Sequence, residues 1–162
     1  MSQVVAQHLP NGYHFDMIIV STDLAQTKKI AADLAQKVIR QKPGRGAVVV
    51  ALEGELGAGK TVFAKAFAKA LGIRETITSP TFVILKRYKI KDSQFTYLFH
   101  IDAYRLKDYR ELESLGIKDI LSDRSNIVLI EWAERVGEIL PQKHITIHID
   151  HVDQRTRKIQ IT

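Results

Sequence analysis

Apolar residues follow two patterns along the chain, and together they predict an α/β protein. Continuous apolar runs at residues 47–52 and 127–130 are typical of strands buried on both faces of a parallel sheet. Apolar residues recur at helical spacing over residues 23–41, and residues 61–71 predict a second, apolar-rich helix. The alternation of these strands and helices favours a parallel sheet at the centre of the fold.

Further segments predict strands that extend this sheet. Residues 17–21 predict a short strand, and residues 82–90 and 95–101 predict a β-hairpin or two adjacent antiparallel strands. Residues 145–149 and 157–161 alternate between apolar and polar, so we expect two late strands at an edge of the sheet. Short helices are predicted at residues 108–114, 117–123 and 133–139.

The remaining features bound the class of protein. Residues 1–16 lack clear periodicity and are interpreted as an N-terminal leader, with residues 17–162 as one domain. No apolar run approaches the roughly 20 residues of a membrane-spanning helix, so no membrane association is expected. The chain has no cysteine, which excludes disulfides and fits a cytoplasmic protein. The net charge of +6 is compatible either with contact to a polyanion such as tRNA or with a solvated basic surface.

A phosphate-binding loop is predicted at residues 54–61, where G-E-L-G-A-G-K-T fits G-x-x-x-x-G-K-[ST] at every fixed position. The loop follows a buried strand and begins a helix, and this context argues against a chance match in a glycine-rich turn. Lys60 can reach the β- and γ-phosphates, and the Thr61 hydroxyl can ligate Mg²⁺. The residues predicted to bind nucleotide here are Glu55, Leu56, Gly57, Ala58, Gly59, Lys60, Thr61 and Val62.

Two carboxylates follow apolar strands and are candidates for the metal side of such a site. Asp102 and Glu131 each end a strand, and the carboxyl ends of strands face the ligand crevice of an α/β sheet. The alternative for each is a solvated acid at a strand end. His100 is either a proton carrier or metal ligand, or a histidine that hydrogen-bonds a neighbour. Trp132 either stacks near a nucleotide base or a partner, or packs in the core.

Several motifs, in this order and spacing, closely resemble the bacterial TsaE (YjeE) family of small ATPases, which are needed to make N6-threonylcarbamoyladenosine in tRNA. The resemblance extends from about residue 17 to residue 141. Its segments are G-E-L-G-A-G-K-T (54–61), T-S-P-T-F (78–82), H-I-D-A-Y-R-L (100–106), E-L-E-S-L-G (111–116) and I-E-W (130–132). The S-P-T-F and H-x-D-x-Y-R segments are far more specific than the phosphate loop.

The resemblance implies a P-loop NTPase-like three-layer sandwich, with a parallel core sheet and added antiparallel strands. It implies that Lys60 and Thr61 hold the phosphates and Mg²⁺ of bound ATP. Asp102 is similar to the family's metal-side acid, and Glu131 is similar to a second acid that is needed for activity. Lys60, Asp102 and Glu131 are therefore the expected catalytic residues, and Thr61, Asp102 and Glu131 the expected metal-side residues.

The resemblance also implies further contacts with the nucleotide, and it implies the partners of the protein. Residues 78–81 resemble a switch-like loop near the γ-phosphate, Trp132 a residue close to the nucleotide, and Thr27 a residue near the adenine. TsaE-like proteins act with the TsaB–TsaD pair, in which TsaD transfers the threonylcarbamoyl group. Their ATPase activity is weak alone and is raised in the complex, and contact with tRNA is either indirect or weak and direct.

Two other functions fit the phosphate loop. A small-molecule kinase shares the loop and the size, but usually has an arginine-rich lid, and residues 119–124 offer one arginine. A nucleotide-dependent adaptor would bind ATP without hydrolysing it.

Overall fold

The computed structural model describes the backbone of residues 4–6 and the full chain over residues 17–80 and 82–162. Within these residues, eight strands form one sheet. The strands are β1 (Val4–Ala6), β2 (Met17–Ser21), β3 (Val48–Glu53), β4 (Leu85–Lys89), β5 (Tyr97–Asp102), β6 (Asn126–Glu131), β7 (Ile145–His151) and β8 (Arg157–Ile161).

The strand order is β1-β2-β8-β7-β3-β6-β5-β4. The four central strands β7, β3, β6 and β5 are mutually parallel, whereas β4 and the group β1, β2 and β8 pair antiparallel. The prediction of a parallel core with added antiparallel strands is confirmed. The hairpin predicted from residues 82–90 and 95–101 is confirmed as the antiparallel pair β4–β5.

Helices cover both faces of the sheet. The helices are α1 (Leu24–Arg40), α2 (Lys60–Ala70), α3 (Arg110–Glu113), α4 (Ile117–Ser122) and a 3₁₀ helix (Ala133–Ile139). Apolar residues of α1 and α2 form one buried cluster with one face of the sheet, and those of α3, α4 and the 3₁₀ helix form a second with the other face. The fold therefore has three layers.

The central strands are apolar on both faces because both faces are covered. All six residues of β6 are buried, and only Glu53 of β3 is partly accessible. The first helix begins after Asp23, whose side chain accepts a hydrogen bond from the Gln26 N–H at 2.8 Å and so caps the helix.

Val4–Ala6, within the predicted leader, forms β1 and pairs with β2, while residues 1–3 and 7–16 lie outside the described residues. Two expectations about the strands are wrong. Strand β4 begins only at Leu85, because Ile84 has a left-handed φ of 64° that ends the extended backbone.

The late strands β7 and β8 are not at an edge. β7 pairs with β3, and the outer side of β8 is covered by β2. Apolar and polar alternation indicates that one face of a strand is buried, but it carries no information on whether both sides of its backbone are hydrogen-bonded. The alternating pattern could therefore predict the strands and not their places in the sheet.

The parallel strands bring the predicted site together at one edge. Leu52 of β3 and Asp102 of β5 are both in register with Glu131 of β6, so the three carboxyl ends are adjacent. No helix in the described part of the chain has both the length and the apolar character needed to cross a bilayer.

Candidate functional site

The phosphate loop leaves β3 and ends where α2 begins, as the motif requires. Gly54, Gly57 and Gly59 have φ values of 128°, 79° and 108°, which strongly favour glycine. A Cβ at Gly57 or Gly59 would meet no atom within 4 Å, so these backbone segments face open space. A loop of this shape can bring backbone N–H groups close to phosphate oxygens, next to the N-terminus of α2.

Lys60, the first residue of α2, folds back over the loop. Its Nζ donates to the carbonyl oxygens of Gly54 at 2.5 Å and Glu55 at 2.8 Å. Burial lowers the pKa of the Lys60 ammonium from its ordinary value, and the charges of Glu134, Glu131 and Asp102 act in the opposite direction. A partly desolvated cation held above the loop is well placed for an anionic ligand.

Glu131 connects the loop to the sheet. Its Oε2 accepts a hydrogen bond from the Thr61 hydroxyl at 2.7 Å, and its Oε1 lies 2.8 Å from His100 Nε2. Glu131 is only 1% exposed and His100 is fully buried. Because each carboxylate oxygen can accept more than one hydrogen bond, Glu131 can hold Thr61 and still orient a water molecule.

His100 supports Glu131 and does not face the cavity. Its Nε2 is the protonated nitrogen if it donates to the carboxylate, which leaves Nδ1 as a buried atom without a hydrogen-bond partner among the described residues. Of the two interpretations of this histidine, the one in which it hydrogen-bonds a neighbour is confirmed.

Asp102 lines the same cavity as Thr61 and Glu131. Its Oδ2 accepts from the Ser79 hydroxyl at 3.1 Å, and its Oδ1 accepts from the Tyr104 N–H at 3.0 Å. Ser79 belongs to the predicted switch-like loop, of which Thr81 lies outside the described residues. The structure therefore brings this loop next to the predicted metal-side acid.

Trp132 is half-buried and lines the same cavity as Lys60 and Thr61. Its ring centroid is 3.6 Å from Lys60 Nζ, a cation–π contact, and 5.0 Å from the Tyr104 ring centroid. Trp132 therefore both lines the cavity and packs against the buried cluster on this face of the sheet. Tyr104, which was not singled out from the sequence, completes this aromatic wall, and the H-x-D-x-Y-R motif contains the signal for it.

A cavity of about 420 Å³ joins these groups. It is lined by Leu56, Gly57, Gly59, Lys60, Thr61, Val62, Ser79, Asp102, Tyr104, Glu131 and Trp132. Among the residues that the structure describes, no group of three or more acidic or histidine side chains could hold a metal by itself. Mg²⁺ is usually held by one or two carboxylates together with phosphates and water, and the carboxylates of Asp102 and Glu131, with the Thr61 hydroxyl, fit that pattern.

Thr27 is not in this cavity. It lies across the loop, in a second cavity of about 520 Å³ that shares Gly57, Gly59 and Val62 with the first. The Thr27 hydroxyl is 2.7 Å from the Ser21 hydroxyl and is almost fully buried. The residues predicted to bind nucleotide, except Glu55, thus line two adjoining cavities that share part of the loop. The second also contains Arg157 of β8, which no sequence motif indicated.

Comparison with known proteins identifies relatives of this chain. The family model described as "Threonylcarbamoyl adenosine biosynthesis protein TsaE" matches residues 21–159. The chain is 41% identical to the tRNA threonylcarbamoyladenosine biosynthesis protein TsaE of Bacillus subtilis over 75% of this chain and 71% of that protein. It is 38% identical to the protein of the same name from Haemophilus influenzae, over 71% of this chain and 70% of that protein.

A solved structure has the same fold. The crystal structure of YdiB from Bacillus subtilis superposes with a TM-score of 0.67 at 31% identity, covering 99% of this chain and 86% of that chain. The similarity therefore includes the phosphate loop, both carboxylate-bearing strands and the late strands β7 and β8.

Proposed function

The chain belongs to the TsaE family, and on that premise we propose that it is a Mg²⁺-dependent ATPase that acts with TsaB and TsaD. Family membership assigns it a nucleotide-binding phosphate loop and a role in the biosynthesis of threonylcarbamoyladenosine in tRNA. The proposal adds ATP as the nucleotide, its hydrolysis, the metal, the two partners and action in the cytoplasm, where tRNA is modified.

One observation carries the proposal: Lys60, Thr61 and Glu131 converge on one cavity at the end of the parallel strands. The Thr61 hydroxyl donates to Glu131 at 2.7 Å, so its oxygen lone pairs remain available to a metal ion. A loop that only bound an anion would not require a buried carboxylate 2.7 Å from its threonine, since such a charge repels phosphate.

The residues of the chain have separable roles in the proposed reaction. The loop N–H groups and Lys60 bind the β- and γ-phosphates, and Lys60 exchanges its two carbonyl partners for phosphate oxygens. Thr61 and Asp102 would hold Mg²⁺, which when bound would neutralise charge on the phosphates. Glu131 orients the attacking water, with His100 fixing the carboxylate. Catalysis therefore comes mainly from positioning and charge neutralisation.

The adenosine half of the nucleotide is assigned to the cavity beside Thr27, because this cavity adjoins the loop opposite Lys60. Trp132 is then a neighbour of the phosphates, through its contact with Lys60.

Exposed apolar residues lie on the phosphate loop and on the segment that follows Ser79. Leu56, Phe82 and Val83 are 78%, 84% and 56% exposed, and such a group is typical of a protein-binding surface. We assign this surface to the TsaB–TsaD pair, whose binding would fix Ser79 against Asp102 and so raise turnover. Contact with tRNA is then either indirect, or direct and weak.

The proposal is tested by measuring phosphate release from ATP by the full chain, alone and with TsaB–TsaD, in Mg²⁺ and in excess EDTA. We expect slow hydrolysis alone, faster hydrolysis with both partners, and none in EDTA. TsaB–TsaD without this chain provides the background. ATP that is bound but never hydrolysed, even with TsaB–TsaD present, would favour the adaptor function and overturn the ATPase assignment. A direct tRNA contact would show as binding that weakens with added salt.

A further inference from the structure

The hairpin formed by β7 and β8 contacts the phosphate loop at two points. At the start of the loop, a Cβ on Gly54 would lie only 2.3 Å from the carbonyl oxygen of Ile149 on β7. Near its end, the Arg157 Nε on β8 donates to the Ala58 carbonyl oxygen at 2.9 Å. The loop is therefore bounded by the hairpin at both ends.

Arg157 is itself held in place by the turn of the hairpin. Its NH1 group donates to the carbonyl oxygens of Asp153 at 2.8 Å and Thr156 at 2.9 Å. One guanidinium thus joins three backbone carbonyls, two in the turn and one in the loop. An ammonium group has neither the planar fork nor the spacing to reproduce this arrangement.

The position of the Ala58 carbonyl determines the direction of a loop N–H. The Ala58 carbonyl and the Gly59 N–H belong to one planar trans peptide unit, so they point in opposite directions. Gly59 has a φ of 108°, in a region where a glycine backbone can rotate easily. Holding the carbonyl toward Arg157 therefore keeps the Gly59 N–H directed away from the hairpin, as a donor for phosphate.

We propose that Arg157 is a positioning residue of the nucleotide site, which orders the Ala58–Gly59 peptide before phosphate binds. The inference rests on the proposed nucleotide binding and deepens it, because it makes the C-terminal hairpin a functional part of the site. Arg157 acts through the loop and not by contact with the reacting phosphate. Its contribution is to pre-organisation, so its loss weakens the binding of any ligand that uses the loop N–H groups.

The structure offers one competing role for Arg157. Its side chain also lines the cavity that contains Thr27, so it could bind the nucleoside directly. The two roles differ in which ligands they affect, because inorganic triphosphate uses the loop and has no nucleoside.

The test compares Arg157→Gln, Arg157→Lys and the control Lys158→Gln in the full chain. Lys158 is the next residue on β8; it is exposed, its Nζ lies 3.9 Å from Asp150, and its neutralisation removes the same charge. Affinities for Mg·ATP and for Mg·triphosphate are measured by calorimetry. Loss of a hydrogen bond from a charged donor corresponds to roughly tenfold in affinity. We therefore expect Arg157→Gln to weaken both ligands by about tenfold, Arg157→Lys to recover little, and Lys158→Gln to change neither.

Several outcomes would overturn the inference. Unchanged triphosphate affinity in a folded Arg157→Gln variant contradicts it, and loss of ATP affinity alone assigns Arg157 to the nucleoside instead. Full recovery in Arg157→Lys would show that charge alone matters. If Arg157→Gln does not fold, Arg157→Lys decides, together with the NMR shift of the Gly59 amide without ligand, which we expect to move in this variant and not in Lys158→Gln. Wild-type chain that binds neither ligand would contradict the proposed function, while the Gly59 shift would still test the positioning role.

Discussion

The two walls of the nucleotide cleft are built differently. One wall consists of the phosphate loop and the end of β6, where Lys60 is 5% and Glu131 1% exposed and both are hydrogen-bonded. The other wall consists of residues 78–80 and 82–84, where Phe82 is 84% exposed and Ile84 has a left-handed φ. The first wall, called the fixed wall below, is held by the sheet, which suits residues that must keep reacting groups in place. The second, called the exposed wall below, has the exposed apolar surface that suits a contact with another protein.

Asp102 belongs to both walls. It lies at the end of β5, yet its carboxylate accepts from Ser79, and its N–H donates to the Ile84 carbonyl at 2.9 Å. Arg105, close along the chain, lies over the Phe82 ring with 4.4 Å between its Cζ and the ring centroid. The exposed wall is therefore connected directly to Asp102, which gives the proposed partner contact a route to the proposed hydrolysis.

The largest expected effect comes from removing the cation of the fixed wall. Lys60→Ala should weaken ATP binding by at least about 100-fold, because charge-assisted hydrogen bonds to phosphate are lost. The fold should remain intact, since the contacts of the Lys60 ammonium are with carbonyl groups of the loop and with the Trp132 ring, and not with the core. Calorimetric titration with Mg·ATP measures the affinity, and circular dichroism measures whether the fold is intact. The matched control is Lys65→Ala, an exposed lysine on the same helix, and near-normal turnover in folded Lys60→Ala would contradict the loop assignment.

The next effect separates chemistry from binding within the same wall. Glu131→Ala should lower kcat by about 100-fold, a typical loss when the group that orients water is removed, with a much smaller change in ATP affinity. The prediction follows from the place of Glu131 beside Thr61 and not beside the loop N–H groups. Single-turnover hydrolysis measures the rate of the chemical step, and equilibrium titration measures ATP affinity. The exposed residue Glu138 provides the control variant, Glu138→Ala. Equal losses of binding and hydrolysis would make Glu131 mainly a structural or binding residue.

The exposed wall should show the opposite dependence. Phe82→Ala should leave ATP binding by the isolated chain unchanged and weaken association with TsaB–TsaD by about tenfold, the effect of removing a buried aromatic residue from an interface. Association measured by interferometry, with and without ATP, tests this expectation. Leu115→Ala, at an exposed apolar residue outside this wall, is the control. If Phe82→Ala altered ATP affinity instead, the two walls would not be functionally distinct.

The sequence predicts the fixed wall far better than its surroundings. The phosphate loop, Asp102 and Glu131 are indicated locally, by glycine spacing and by acids that end apolar strands, and parallel pairing then brings them together. The contact of Arg157 with Ala58 joins residues 99 positions apart, and a single arginine in a basic strand has no pattern that distinguishes it. For the same reason the sequence could predict β7 and β8 as strands but not their interior places in the sheet.

The smallest expected effect concerns the outer support of the fixed wall, where the turn of the β7–β8 hairpin holds Arg157. Hydrogen bonds from the Arg155 and Thr156 N–H groups lower the pKa of the Asp153 carboxyl. Because the folded pKa is below the unfolded value of about 3.9, this stabilisation is fully present above that pH and is lost as pH falls through the folded pKa. The Arg155 and Thr156 amide shifts should therefore titrate with a midpoint below about 3.9, and should not do so in Asp153→Asn. A midpoint above the ordinary aspartate value would mean that the turn does not favour the charged carboxylate, and the fixed wall would then lack this outer support.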